Sequence, residues 1–153
     1  PSRAGARAGD GVWVTGPLGA AMAGFEALRD GTGKDSLAYR RPLACLAEGE
    51  ALAPLVTAMM DISDGLLLDA SRMAEASGVT IALSSADVPI AVPEERRSDA
   101  LRWGEDYELL FTLPAGVEPT VSAWHIGEVR ERGQVALLLD GEVPAGSLGY
   151  EHG

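Results

Sequence analysis

The sequence predicts an α+β domain in which helices pack on a mixed, largely antiparallel sheet. Two observations carry that prediction. Segments of strand and helix period alternate through the first part of the chain, which builds sheet and helix layers together. From Glu108 onward the remaining strand segments follow one another closely, as antiparallel neighbours joined by turns do. A length of 153 residues suits a single domain able to bury a core.

Residues 3 to 9 form a Gly/Ala/Arg-rich run that reads as the remnant of an interdomain linker, 1–9, ahead of a domain spanning 10–153. There is no initiator Met, so the chain is expected to belong to a longer protein. Val12-Trp13-Val14-Thr15 alternates as a strand, with Trp13 expected in the core, and stops at Gly16-Pro17. Leu18, Met22, Phe25 and Leu28 recur at helical spacing up to Asp30-Gly31. The polar residues 31 to 42 read as a loop. A helix from Leu46 to Val56 with Leu52, Leu55 and Val56 inward comes next. Ala58-Met59-Met60 is a short buried strand, and Leu66 to Ala76 is a helix with Leu66, Ala70, Met73 and Ala74 on one face. Ser77-Gly78 closes it before a strand from Val79 to Leu83. Residues 86 to 98 are rich in Pro and charge and read as a loop with one helical turn near Pro93. Glu108 to Leu113 places Leu109, Phe111 and Leu113 on one strand face. His125 to Val129 and Val135 to Leu139 read as strands joined by a turn at Arg132-Gly133.

Composition narrows the function. A formal net charge of −11 argues against nucleic acid, whose binding rests on Lys and Arg. Small phosphate ligands remain compatible, provided Mg²⁺ bridges the like charges; most of the acidity reads as a solubility feature. Apolar residues make up 46 %, which argues against disorder, and no apolar run approaches the roughly 18 residues that would span a membrane. No secretory leader is visible, and the single Cys45 can form no internal disulfide, so a reducing cytoplasm is the expected compartment.

Two segments concentrate chemistry. Asp61-Ile62-Ser63-Asp64-Gly65-Leu66 sets two carboxylates and a hydroxyl at a strand-to-helix turn. Carboxylates there attract hard divalent cations, and backbone N–H groups at a helix start suit phosphate oxygens. The same residues are also common N-caps and turn formers. Trp103-Gly104-Glu105-Asp106-Tyr107-Glu108 gathers three carboxylates and a phenol before an apolar strand, which read alone is also a solvated acidic approach to that strand.

Taken together and in order, the two segments resemble the signature motifs of the C-terminal half of thiamine-monophosphate kinases, within the superfamily of aminoimidazole ribonucleotide synthetase. Arg3 to Asp10 followed by Val12-Trp13-Val14-Thr15-Gly16 resembles the start of that domain. Arg41-Pro42 with Glu48-Gly49-Glu50-Ala51-Leu52, and the ending Gly149-Tyr150-Glu151-His152, are similar to further family segments. The resemblance implies transfer of the ATP γ-phosphoryl to thiamine monophosphate, giving thiamine diphosphate without a phosphoenzyme. It implies Asp61 and Asp64 as Mg²⁺ ligands, Arg3 and Ser63 as ATP contacts, and Glu105 and Tyr150 as contacts to the thiamine part. It also implies an N-terminal half carrying most metal and nucleotide ligands, so that this chain alone is not an active kinase. The resemblance further implies that dimerisation rests with that other half, which fits a homodimer of the longer protein and leaves this chain's own state open.

The chain departs from the pattern in three places. Trp103 stands where a second glycine is usual, and its ring narrows the approach to Glu105; Ala44-Cys45 replaces a Pro-Arg pair; and the ten residues between Leu113 and Trp124 are too few for the helix expected there. Elsewhere, His125 reads as a structural histidine on an apolar strand, Cys45 as a small buried residue, His152 as a fraying end, and Asp69, one turn after Gly65, as solvent-facing rather than as support behind the metal ligands.

Overall fold

The structure is a computed structural model that describes residues 1–31 and 45–150. Most of the expected loop 31–42, the Arg41-Pro42 pair, Ala44, Glu151 and His152 lie outside the described residues.

In chain order the elements are β1 (Gly11–Val14), α1 (Ala20–Asp30), α2 (Leu46–Leu52), β2 (Ala58–Asp61), α3 (Leu66–Ser77), β3 (Val79–Leu83), α4 (Arg97–Arg102), β4 (Leu109–Leu113), β5 (Trp124–Glu131) and β6 (Leu137–Leu139). Single 3₁₀ turns occupy Ser85–Asp87 and Glu94–Arg96. The strands form one six-stranded sheet in the order β2-β4-β1-β5-β3-β6. All neighbours are antiparallel except β3 and β6, which run parallel, so the sheet is mixed and largely antiparallel as expected.

The period of two along each strand divides the core between the two sheet faces. Leu110, Val12, Val14, Ala58, Ile81 and Ile126 join Leu66, Leu67, Ala70 and Met73 of α3 in the larger cluster. Leu109, Phe111 and Leu113 point the other way, against Leu52 of α2, with Trp13, Met59, Val117 and Val121 packed on them. β4 is therefore buried on both faces, as a central strand should be.

Several sequence expectations change. β5 and β6 do not form a hairpin: β3 lies between them, because its buried Val79, Thr80 and Ile81 take the inner place in the sheet. α2 ends at Leu52, since Pro54 cannot donate to a continuing helix. Residues 97–102 form the helix α4, which overlaps the expected loop 86–98 at its last two residues and otherwise lies where the sequence predicts no element; its buried Ala100 and Leu101 anchor it on the core, and a tertiary contact needs no long periodic run. Leu28, grouped with the inward residues of α1, is 46 % exposed. His125 is exposed on β5, with its ring centroid 5.0 Å from that of the half-buried Trp13. Cys45 is half-buried; its Sγ–H donates to Glu108 at 3.3 Å, and burial pushes the thiol up to about 11.

Candidate functional site

The two acidic segments, distant in sequence, fold as one unit. β2 and β4 pair down to Asp61 opposite Leu109, and the backbones stay joined past the end of the ladder. Ile62 N–H donates to the Glu108 carbonyl at 2.8 Å, Tyr107 N–H to that of Ile62 at 3.0 Å, and Glu105 N–H to that of Ser63 at 2.9 Å. Such an approach needs glycines. A Cβ on Gly104 would lie 2.4 Å from the Ser63 oxygen; one on Gly65, which has φ +116°, would lie 2.6 Å from the Arg102 oxygen. Glu105 (φ 68°) and Tyr107 (φ 56°) take left-handed conformations that non-glycine residues rarely adopt. Strain of that kind persists only where surrounding contacts over-determine it, here the paired backbones.

Asp69 organises the first segment, which corrects its expected solvent-facing position. It is 1 % exposed, and its Oδ2 accepts the Ser63 and Asp64 N–H groups at 2.9 Å each. Helix α3 starts at Gly65 with no side-chain cap, so the capping role open to Asp61, Ser63 and Asp64 is filled by none of them. Burial raises the Asp69 pKa despite those donors. Arg72, one turn further on, pairs with both Asp64 and Asp69. The sequence held a signal for this arrangement, an acid in the first helical turn, where the macrodipole favours it. It could not tell which way that acid points.

Tyr150 N–H donates to the Asp64 carbonyl at 2.9 Å, and Arg102 holds the segment before it through the Ser147 and Ala145 carbonyls at 3.0 and 2.9 Å. The result is an open cleft of about 670 Å³. Ser63, Asp64, Glu105 and Tyr150 line it, with Phe25, Trp103 and Tyr107. Four of the six sequence-predicted site residues therefore share one cleft, and Asp61 and Arg3 are not among its lining. Asp61 is exposed at the end of β2. Arg3 is exposed beside the same strand: Met59 N–H donates to the Ser2 carbonyl, and the Arg3 carbonyl accepts from Ser77 Oγ.

The middle acid of the second segment has a structural part that its sequence does not reveal. Asp106 accepts the N–H groups of Gly19 and Ala21 at 3.2 to 3.3 Å, capping α1 in place of a local side chain. Burial pushes this carboxyl up to about 6 against the pull of those two donors, and the Glu108 charge adds to the rise. Glu108 itself accepts from Thr15 Oγ1 at 2.6 Å, joining β4 to the end of β1. The three carboxylates of the segment thus divide their roles, with Asp106 and Glu108 holding structure while Glu105 faces the cleft.

Mg²⁺ takes one or two carboxylates and keeps waters and phosphate oxygens for its other positions. The exposed Asp61 carboxylate fits that donor set, whereas that of Asp64 is partly neutralised by Arg72. Among the described residues no three or more His, Cys, Asp or Glu side chains converge into a cage.

Residues 7–140 match the family described as AIR synthase related protein, C-terminal domain. The chain is 36% identical over 128 residues to the thiamine-monophosphate kinase of Escherichia coli O157:H7, covering 74% of this chain and 39% of that protein. Its fold is similar to the crystal structure of thiamine-monophosphate kinase from Stenotrophomonas maltophilia, with a TM-score of 0.83 and 28% identity over 92% of this chain and 53% of that one. It is also similar to AaThiL complexed with AMPPCP and TMP, with a TM-score of 0.82 and 33% identity over 97% of this chain and 53% of that one. The chain thus spans between about two-fifths and just over half of these proteins.

Proposed function

The chain belongs to the family of AIR synthase related protein C-terminal domains, and from that premise we propose that it is the C-terminal part of an ATP-dependent thiamine-monophosphate kinase. The reaction moves the γ-phosphoryl of ATP to the phosphate of thiamine monophosphate. The observation that carries this reading is the joining of the first acidic segment to the second in one cleft. Ser63 and Asp64, on the nucleotide side, lie next to Glu105 and Tyr150, which suit the organic cation. The likeness to a kinase structure holding AMPPCP and TMP supports the same pairing of ligands.

Phosphoryl transfer asks the protein chiefly to align two anionic reactants and to screen their charge. In this reading Ser63 contacts ATP at the turn held by Asp69, and Arg3, on the flank of β2, offers a cationic fork to phosphate oxygens. Asp61 and Asp64 would hold Mg²⁺, with Asp61 carrying the larger share because Arg72 already pairs with Asp64. The metal supplies charge neutralisation between the reactants when bound. Glu105 and the Tyr150 ring hold the thiazolium, the carboxylate by charge and the aromatic face by its quadrupole. The remaining ligands would come from an N-terminal half, so the chain alone would not complete the transfer.

The test uses the protein carrying both halves. Thiamine diphosphate is expected to form from thiamine monophosphate and MgATP, and Asp61→Asn to lower kcat/KM by on the order of a hundredfold or more. Absence of thiamine diphosphate from the unmodified protein would overturn the reading.

A further inference from the structure

The cleft contains an aromatic pair whose rings the carboxylate chemistry of the two acidic segments does not use. Trp103, at the end of α4, and Phe25, in the middle of α1, face each other with ring centroids 5.3 Å apart and planes at 36°. Both are half-buried, and both line the cleft with Glu105 and Tyr150. Phe25 is backed on α1 by Arg29, whose guanidinium carbon lies 5.8 Å from the ring centroid. The pair is therefore braced from the helix side, and its indole is the larger ring offered to a ligand. Among the described residues of the lining, the cation Arg102 is directed elsewhere, with its guanidinium bonded to the Ser147 and Ala145 carbonyls and to Ser98 Oγ. An aromatic wall beside the exposed Glu105 carboxylate is chemistry for a planar cationic ring, attracted by the quadrupole of the wall and the charge of the acid.

We propose that Trp103 is a specificity-determining residue that selects a cationic aromatic ring, with Phe25 as the positioning residue that holds it in place. This deepens the thiamine reading above and rests on it for the identity of the ring, a thiazolium. The indole then does more than narrow the way to Glu105: it forms the face against which the ring lies.

The test is calorimetric titration of the 153-residue chain with two fragments that differ in charge, 3,4-dimethyl-5-(2-hydroxyethyl)thiazolium and neutral 4-methyl-5-(2-hydroxyethyl)thiazole. The thiazolium is expected to bind about tenfold more tightly. Trp103→Leu should reduce that preference to about twofold or less, Trp103→Phe should keep most of it, and Phe25→Leu should fall between. A preference that survives Trp103→Leu, or tighter binding of both fragments by Trp103→Gly, would overturn the proposal, the second by making the ring an obstruction. Should the leucine variant not fold, 5-fluoro- and 5,7-difluorotryptophan in the otherwise unchanged chain should weaken thiazolium binding stepwise, and flat affinity would count against the wall. Thiamine monophosphate separates the two readings. If the thiazolium preference depends on Trp103 but thiamine monophosphate does not bind, the wall stands and the substrate reading fails. If thiamine monophosphate binds with no dependence on Trp103, the reverse holds.

Discussion

Removing the Asp69 carboxylate would strand two backbone donors, the N–H groups of Ser63 and Asp64, in a site where the side chain itself is only 1 % exposed. Water cannot replace the lost acceptor without opening the turn, and an unsatisfied buried donor costs about 1–3 kcal/mol. Asp69→Ala is therefore expected to lower the unfolding free energy by about 2–4 kcal/mol in a urea titration. Asp69→Asn, which keeps one acceptor oxygen and sheds a charge that burial disfavours, should cost less than half as much. Equal losses for the two variants would mean that the charge on Asp69, acting through Arg72, matters more than its backbone bonds. The residue also marks a limit of sequence reading. Asp61, Ser63 and Asp64 stand out because they cluster, but whether an acid in a first helical turn faces solvent or folds back under its own turn depends on the main-chain path through Gly65.

At the scale of elements, the cap on α1 comes from another part of the chain. Asp106 accepts from Gly19 and Ala21, and α1 carries the Phe25 that lines the cleft, so the cap ties the second acidic segment to a cleft wall. The folded-state pKa of about 6 lies above the ordinary value of 3.8. The stability linked to this proton is therefore fully present below about pH 4 and is lost as pH rises through about 6. Asp106→Asn cannot titrate, so its stability relative to the unmodified chain should rise between pH 4 and pH 7 by on the order of 2 kcal/mol. Denaturant midpoints for both proteins across that range check it; parallel pH profiles would mean that the carboxyl titrates normally. Apolar patterning made β1 to β4 and the helices α1 and α3 legible, as alternation in β1, as short apolar runs in β2, β3 and β4, and as a helical stripe in α1 and α3. The order of strands was not legible. Adjacency in sequence suggested a hairpin of β5 and β6, whereas the apolar character of β3 gives it the place between them. α4 is too short for a periodic signal and is anchored by Ala100, Leu101 and contacts around Arg96, which bonds Glu26 of α1 through both carboxylate oxygens at 2.8 and 2.9 Å.

For the whole molecule, the cleft and the acidic edge beside it differ in completeness, and ligand-linked stability should reveal the difference. Trp103, Phe25, Glu105 and Tyr150 all belong to this chain and line one cleft, so under the proposed function a thiamine compound would find its ring contacts here. Under the same reading Mg²⁺ would meet the exposed Asp61 and an Asp64 already paired with Arg72, and no set of three donors converges among the described residues. One or two carboxylates without phosphate oxygens hold Mg²⁺ weakly, since the ion surrenders its water reluctantly. A ligand stabilises the folded state by RT ln(1 + [L]/Kd), so about 2 mM Mg²⁺ at a Kd of about 20 mM adds only about 0.06 kcal/mol, well under a degree in Tm. Thiamine monophosphate at about 100 times its Kd adds about 2.7 kcal/mol, a rise of roughly 5–10 °C for a domain of this size. Thermal melts of the 153-residue chain should therefore move with thiamine monophosphate and stay still with Mg²⁺ alone. A shift of several degrees with Mg²⁺ alone would mean that this chain builds a metal cage of its own, and would remove the reason for assigning the remaining ligands to another half.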